Sequence, residues 1–176
     1  MTLPAESGRR PRQARQRRGL AWAVAGSVLV LDQGSKLWAL QGLPTGLAQP
    51  FLPGLLQLRL VHNTGAAFSL LTGSTPLLAL VSLAVCVALA LLLWQRPPQA
   101  LPIRLALGFL LGGAAGNGLD RWRLGAVTDF LEFVPVSFPV FNLADVAINL
   151  AVLCFLLDAF AGLRHRGGQD GEGHDG

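Results

Sequence analysis

Charged residues are scarce in this sequence of 176 residues: they make up 14% of it, whereas 52% is hydrophobic. Soluble domains carry about 25% charged residues. The shortage therefore argues against an ordinary soluble surface and indicates a chain that lies largely in lipid. The length corresponds to about one domain.

Cysteine is almost absent as well. Cys86 and Cys154 each fall in the middle of a hydrophobic stretch, where cysteine behaves as a small apolar residue. They predict neither a disulfide framework nor a metal site. The sequence also lacks the His-Glu-x-x-His string of zinc peptidases, the Gly-x-Ser-x-Gly string of serine hydrolases and a glycine-rich phosphate loop. Ser35 and Lys36 are adjacent on one helix, so their side chains diverge and do not form a serine–lysine pair.

Long apolar runs are present instead. About 20 apolar residues cross the hydrocarbon core as a helix, and four segments approach that length: 20–40, 76–94, 103–120 and 141–163. The first could be mistaken for a signal peptide, but Asp32 and Lys36 interrupt it and no clean cleavage site follows. We therefore predict four transmembrane helices, the first of them retained.

Lysine and arginine are distributed unevenly around these spans. Ten lie in the N-terminal segment, the 95–104 loop and the tail, against three in the other two loops. The positive-inside rule then places both termini in the cytoplasm. We expect residues 1–19 to be a basic extension that meets anionic lipid rather than nucleic acid, 20–163 to be the membrane domain, and 164–176 to be a flexible tail.

The predicted fold is an all-α membrane protein with a small β-rich platform outside the membrane. In the 41–75 loop, residues 55–62 partly alternate apolar and polar side chains, which predicts a short strand or hairpin. In the third span Gly108, Gly112 and Gly116 recur every fourth residue, a spacing that allows close helix packing in lipid.

Rare polar residues converge on the non-cytoplasmic ends of the spans. Asp32 and Lys36 lie on one face in the outer half of the first span, and Asn117, Asp120 and Arg121 end the third. The fourth span begins with a polar face formed by Asn142, Asp145 and Asn149. The loop before it contains a further carboxylate, Asp129. Ionisable groups at this depth are costly and usually functional. Because two close carboxylates can share one proton and activate a water, Asp129 and Asp145 predict an aspartic peptidase.

Helix capping offers another explanation for the two aspartates. Asn142 could cap the fourth helix, with Asp145 at the third position, where the helix dipole favours its charge. Asp129 could cap a short helix in the 121–140 loop, with Glu132 three residues later. The protein would then be a membrane scaffold.

The remaining charged residues have structural interpretations too. Asp32 and Lys36 could form a structural ion pair, and Asp120 and Arg121 could pair at the interface to order a loop. A small transporter or channel that uses Asp129 and Asp145 as proton or cation ligands is a further alternative. It would need polar residues through the whole depth of the bundle, and the second and fourth spans are largely apolar below their outer ends.

Five blocks of residues resemble the lipoprotein signal peptidase family, also called signal peptidase II. They occur in order between residues 28 and 150 of a four-span chain, which makes the resemblance specific. The blocks are Asp32-Gln33-Gly34-Ser35-Lys36, Asn63-Thr64-Gly65-Ala66-Ala67-Phe68-Ser69, Gly112-Gly113-Ala114-Ala115-Gly116-Asn117-Gly118-Leu119-Asp120-Arg121, Val127-Thr128-Asp129-Phe130 and Phe141-Asn142-Leu143-Ala144-Asp145.

The resemblance implies a membrane-embedded aspartic endopeptidase. It would remove the signal peptide from bacterial prolipoproteins, just before a cysteine that carries diacylglycerol. It implies Asp129 and Asp145 as the catalytic pair and Asp32 and Lys36 as a structural pair. Residues that bind substrate or support the site would be Asn63, Gly65, Asn117, Asp120, Arg121, Asn142 and Ala144.

The resemblance also sets expectations for cofactors and partners. It implies no metal and no other cofactor, inhibition by the cyclic peptide globomycin, and a location in the bacterial inner membrane. We expect lipid-modified prolipoproteins and membrane lipid as partners, no nucleic acid, and action as a monomer.

Overall fold

A computed structural model describes residues 9–65, 73–95 and 100–169. Four long helices and three strands occur in these ranges, in the order α1 (Arg9–Gly42), β1 (Ala48–Leu52), β2 (Leu56–Asn63), α2 (Thr75–Gln95), α3 (Leu101–Leu124), β3 (Val127–Phe133) and α4 (Leu143–Gln169). The fold is therefore predominantly helical with one small sheet, as the sequence predicts.

Helix α3 is the centre of the bundle and packs against the other three helices. Its glycines make this possible. A methyl group at Gly108 would collide with the backbone of Ala21 on α1, and one at Gly113 would collide with Ala144 on α4. Gly112 repeats the first contact one turn further along α1. The predicted packing role of Gly108 and Gly112 is confirmed.

The surface of the bundle is strongly apolar. Helix α2 and residues Leu143–Leu163 of α4 are long and apolar enough to cross a membrane. Their large side chains mostly face outward: Leu80 and Val81 on α2 and Leu157 and Phe160 on α4 are at least half exposed. Soluble proteins rarely expose an apolar surface of this size to water. By length and composition two helices of the described chain qualify as spans, rather than the predicted four.

Strands β1, β2 and β3 form an antiparallel sheet in that order. A tight turn at Gly54, with a φ of 75°, joins β1 to β2. This hairpin confirms the one predicted in the 41–75 loop. Gly125 caps the end of helix α3, and its φ of 73° turns the chain into β3. The sequence did not predict β3, and the hypothesis that Asp129 caps a short helix is wrong because Asp129 lies within this strand.

A polar layer separates two apolar clusters. One cluster lies inside the bundle, around Ala25, Leu93 and Leu111. The other lies beneath the sheet, around Leu60 and Phe130. Between them, at the level where α1 and α3 approach the sheet, the buried side chains are polar or charged: Asp32, Lys36, Asn117, Asp120, Thr128, Asp129 and Asn142.

Several predicted features lie outside the described residues. These are residues 1–8 of the basic extension, 66–69 of the second family block, 96–99 of the loop between the second and third spans, and 170–176 of the tail. Helix α4 itself continues to Gln169.

Candidate active site

Asp129 lies in the middle of β3 with 2% of its surface exposed. Its carboxylate accepts two amide hydrogen bonds, one on each oxygen. Asn142 donates to Oδ1 at 2.6 Å, and Asn63 donates to Oδ2 at 3.0 Å. Asn63 reaches it because Asn63 pairs with Val127 across β2 and β3, which makes Asn63 and Asp129 diagonal neighbours on one face of the sheet.

Asp145 lies in the first turn of α4, next to the sheet. Asn142 caps this helix: its side-chain oxygen accepts the backbone N–H of Asp145 at 3.0 Å, and Asp145 Oδ2 accepts the backbone N–H of Asn142 at 3.1 Å. The two residues form a reciprocal capping box. The capping interpretation of Asn142 and Asp145 is therefore confirmed.

Asn142 also connects the two aspartates. A backbone N–H can only donate, so the Asn142 oxygen must face Asp145 and its NH₂ group must face the other way. That NH₂ group donates to Asp129 Oδ1 and, at 3.1 Å, to Asn117 Oδ1. Asn117 in turn donates to Asp145 Oδ1 at 2.9 Å. Two buried asparagines thus bring both carboxylates to one site.

The environment of Asp129 favours its protonated form. Burial, followed by the nearby negative charge of Asp145, raises the pKa of the Asp129 carboxyl from 3.8 to about 7. The hydrogen bonds from Asn63 and Asn142 and the positive charge of Lys36 act in the opposite direction. A carboxyl with this pKa can hold or release a proton near neutral pH, as a general acid or base requires.

A buried ion cluster lies directly behind the aspartates. Lys36 contacts Asp32 at 2.9 Å and Asp120 at 3.2 Å. The same ammonium group donates to Asn117 Oδ1 at 2.9 Å. The predicted Asp32–Lys36 pair is confirmed. The predicted pairing of Asp120 with Arg121 is wrong, because Asp120 pairs with Lys36.

The cluster holds the elements of the site together. Asp32 accepts the backbone N–H of Ala144 at the start of α4, at 2.9 Å. Asp120 accepts the backbone N–H of Thr128 in β3, also at 2.9 Å. Gln33 donates to both carboxylates, at 3.1 and 3.0 Å. Both elements that carry the aspartates are therefore anchored to the same pair of buried carboxylates.

Arg121 connects the end of α3 to the segment after β2. It donates to the backbone oxygen of Gly65 at 3.0 Å, and Gly65 donates its own N–H to Asn63 Oδ1 at 2.9 Å. That second bond leaves the NH₂ group of Asn63 directed at Asp129. Among the described residues, the buried Nε of Arg121 has no hydrogen-bond partner.

A cavity of about 680 Å³ opens on the two aspartates. Its polar lining side chains are Asn63, Asn117, Arg121, Asp129, Asp145 and Asn149. The rest of the lining is apolar and comes from β3, the 134–141 segment and the first three turns of α4. Phe133, Phe138 and Phe141 pack edge to face or tilted against one another there. The cavity can therefore hold a peptide beside the carboxylates and an apolar group along α4.

The structure places the predicted site residues in two groups. Asn63, Asn117, Arg121, Asp129 and Asp145 line the cavity. Asp120, Asn142, Ala144 and Gly65 lie behind it and hold the lining residues. Within the described ranges, no group of three or more His, Cys, Asp or Glu residues is arranged to bind a metal ion.

Sequence reasoning missed three contributors to the site: Gln33, Thr128 and the Phe133–Phe138–Phe141 cluster. Gln33 and Thr128 stand inside the family blocks, so their position there was an available signal. Phe141 also stands inside a family block, but Phe133 and Phe138 carry no such signal, because only the fold brings residues of β3 and the following segment to one wall.

Comparison with known proteins agrees with this geometry. Residues 24–161 match the family model described as signal peptidase (SPase) II. The chain is 57% identical to the lipoprotein signal peptidase of Synechococcus sp. (strain RCC307), over 77% of this chain and 90% of that one. It is 53% identical to the lipoprotein signal peptidase of Parasynechococcus marenigrum (strain WH8102), over 82% of this chain and 91% of that one.

A solved structure has the same fold. It is a bacterial membrane enzyme determined by the in meso method at 2.3 Å resolution, with a TM-score of 0.75 and 26% sequence identity. The match covers 81% of this chain and 88% of that one.

Proposed function

The chain belongs to the signal peptidase II family, and we propose that Asp129 and Asp145 are the catalytic pair with which it cuts its substrates. Members of this family are aspartic peptidases that remove signal peptides from lipoproteins, and this protein is such an enzyme. The observation that carries the proposal is the pair of asparagine bridges, which direct both carboxylates into one cavity.

In the proposed mechanism the two aspartates share one proton. Asp129 holds it, because burial and the neighbouring charge raise its pKa to about 7. Asp145 is ionised, and the N–H groups of Asn117 and Asn142 stabilise its negative charge. Asp145 takes a proton from a water, which attacks the scissile carbonyl, while Asp129 donates its proton to the carbonyl oxygen. Asp145 then passes the proton it took from water to the amide nitrogen, the C–N bond breaks to release the amine, and the hydroxyl that Asp129 protonated returns its proton to Asp129.

The proposed substrate is a prolipoprotein whose cysteine carries diacylglycerol. The polar part of the cavity lining fits an extended peptide, with the side chains of Asn63 and Arg121 as donors to its backbone carbonyls. The apolar side chains of the outer part of α4, among them Val146 and Leu150, border the same cavity. Acyl chains could leave along that surface into lipid.

We also propose the membrane arrangement. All four helices cross the bacterial inner membrane, with both termini in the cytoplasm and the sheet and dyad at the outer face. Support comes from the uneven distribution of arginine and from outward-facing apolar side chains on α1 as well, such as Val30 and Leu31. We further propose residues 20–163 as the peptidase domain, with a basic extension before it and a short tail after it, and action as a monomer.

Cleavage of a matched pair of precursors tests the proposed substrate. The purified enzyme receives one prolipoprotein peptide with diacylglyceryl-cysteine and one with unmodified cysteine, and mass spectrometry identifies the products. We expect a cut just before the modified cysteine, blocked by globomycin. Equal cleavage of both peptides would show that the enzyme does not recognise the lipid on the cysteine. A cut at another bond would contradict the proposal.

A further inference from the structure

Lys36 is buried in the ion cluster behind the cavity, with 2% of its surface exposed. Asp32 and Asp120 flank it at 2.9 and 3.2 Å and more than neutralise its positive charge. Its third hydrogen bond goes elsewhere, to the side-chain oxygen of Asn117 at 2.9 Å. Asn117 is the residue that donates to Asp145 Oδ1.

This third hydrogen bond fixes the orientation of the Asn117 side-chain amide. An ammonium group can only donate hydrogen bonds, so the Asn117 atom that faces Lys36 must be the oxygen. The NH₂ group must then face Asp145, whose carboxylate can only accept. Asn142 also donates to the Asn117 oxygen, at 3.1 Å, but its NH₂ group is shared with Asp129. Without Lys36, the amide could turn over and present an oxygen to the carboxylate of Asp145.

From this geometry we infer that Lys36 is a positioning residue of the peptidase, which sets the orientation of Asn117 and thereby holds Asp145 ready for catalysis. The inference rests on the proposed Asp129–Asp145 dyad. It goes beyond the structural role implied for the Asp32–Lys36 pair, because a structural pair has no need of the bond to Asn117.

The charges around the dyad support this role. Asp129 faces Asp145 from α4, Lys36 from α1 and Arg121 from α3, and it receives neutral donors from Asn63 and Asn142. The positive charge of Lys36 lowers the pKa of Asp129. Loss of Lys36 should therefore move the alkaline limb of the pH–rate profile to higher pH.

Two uncharged replacements of similar size separate positioning from charge balance. Lys36→Gln keeps a side-chain N–H that can reach Asn117, whereas Lys36→Met keeps none. Both are combined with Asp120→Asn. One positive and one negative charge are then removed together, so the net charge of the ion cluster stays as in the natural chain. The reference protein carries Asp120→Asn alone.

Turnover of a diacylglyceryl-modified prolipoprotein peptide is measured per folded molecule, with folded protein quantified by thermal unfolding in detergent. We expect kcat of the methionine protein to lie about 10-fold or more below that of the glutamine protein, the effect of one well-placed hydrogen bond, with KM unchanged. Equal kcat values for the two proteins would overturn the inference.

A double-mutant cycle provides a second test. It again compares kcat per folded molecule, so a low yield of one folded variant does not affect the result. Asn117→Ala is combined with Lys36→Met in the same Asp120→Asn background. If Lys36 acts through Asn117, its removal lowers kcat far less once Asn117 is absent. Additive losses would overturn the inference and leave Lys36 with a structural role.

Gly108→Ala is the matched control for lost stability. It disturbs packing against Ala21 on α1, away from the dyad, so kcat per folded molecule and the pH–rate profile should stay as in the natural chain. The dyad itself is tested separately. Active Asp129→Asn and Asp145→Asn variants would contradict the proposed function, whereas inactive ones together with equal Lys36 variants would contradict this inference alone.

Discussion

Asn142 donates its side-chain amide to Asp129 at 2.6 Å, the shortest of the hydrogen bonds around the two aspartates. The same side chain caps α4 by accepting the backbone N–H of Asp145. One asparagine therefore stabilises the helix that carries one carboxylate and orients the other carboxylate. Capping and catalytic support are two roles of one residue rather than competing explanations.

The two roles of Asn142 can be separated by substitution. Asn142→Ser keeps a side-chain oxygen that can cap α4, but it loses the amide that reaches Asp129. Asn142→Ala loses both, and removal of the cap costs about 1 kcal/mol of stability. We expect both variants to lose activity by about 100-fold, a usual effect of a misplaced catalytic group. The alanine variant should lose more thermal stability than the serine variant, because it loses the cap as well as the buried amide. Full activity in Asn142→Ser would show that its bond to Asp129 has no catalytic role.

The raised pKa of Asp129 predicts the pH dependence of cleavage. The dyad needs one proton, so the rate should fall as the pH rises through about 7. Asn63 donates to the Asp129 carboxylate and lowers its pKa. Asn63→Ala should therefore move the alkaline limb of kcat/KM to higher pH. His62→Ala is the control, because His62 is an exposed residue of the same strand as Asn63 and its removal should leave the limb in place. A limb that disappears with His62 would contradict the assignment to Asp129.

The same pKa predicts how stability depends on pH. The folded carboxyl keeps its proton up to about pH 7, whereas in the unfolded chain it loses the proton near 3.8. Between these values the folded state binds more protons, so the contribution of Asp129 to stability falls as the pH rises. Below 3.8 the contribution is complete, and above 7 its loss is complete. Thermal unfolding in detergent between pH 4 and 8 measures this trend. Asp129→Ala should show a flatter dependence than the natural chain, and an equally steep one would contradict the prediction.

Gly116 makes room for the ion cluster. A methyl group there would collide with the carboxylate of Asp32, which anchors Lys36 and the start of α4. Gly116→Ala should lower both thermal stability and kcat. Gly34→Ala is the matched control on α1, because a methyl group at Gly34 meets open space. Alanine is favoured over glycine in a helix interior by about 1 kcal/mol, so this control should be as stable as the natural chain or more so. Equal behaviour of the two variants would contradict the packing role of Gly116.

Arg121 should contribute mainly to substrate binding. It lines the cavity, donates to the backbone oxygen of Gly65 behind it, and has a buried N–H without a partner among the described residues. A lysine cannot reproduce the planar group with its several donors. Arg121→Lys should therefore raise KM more than it lowers kcat. Arg123→Lys, at an exposed position two residues later, should leave both constants unchanged. A pure loss of kcat in Arg121→Lys would assign this residue to the chemical step.

Much of the helical framework was predictable from apolar length alone. The four predicted spans each lie within one of the four helices, apart from two residues before α4. The strand predicted from the alternating pattern at residues 55–62 corresponds to β2. The predicted polar convergence was correct because depth along a helix follows directly from sequence position. Asp32, Asn117 and Asp145 reach one level for that reason.

Partner choice within the polar layer could not be predicted in the same way. Asp120 pairs with Lys36, which is far away in sequence, and not with the adjacent Arg121. That choice depends on how closely α1 and α3 approach through their small residues, and glycine spacing does not specify which side chains then meet. Strand β3 was missed because its strongest feature, buried Asp129, is unusual in a strand. Its pairing with β2 supplies the reason, and that pairing is a property of the fold.

The most direct test of the dyad is the single-turnover cleavage rate of a diacylglyceryl-modified prolipoprotein peptide by Asp129→Asn and Asp145→Asn. Glu132→Gln serves as the control, because Glu132 lies in the same strand but pairs with Arg59 on the sheet. We predict that each aspartate variant is folded, binds globomycin and loses cleavage by about 10⁴-fold or more, as happens when a member of a catalytic unit is removed. The Glu132 variant should cleave at the rate of the natural chain. Substantial cleavage by either folded aspartate variant would contradict the shared-proton dyad.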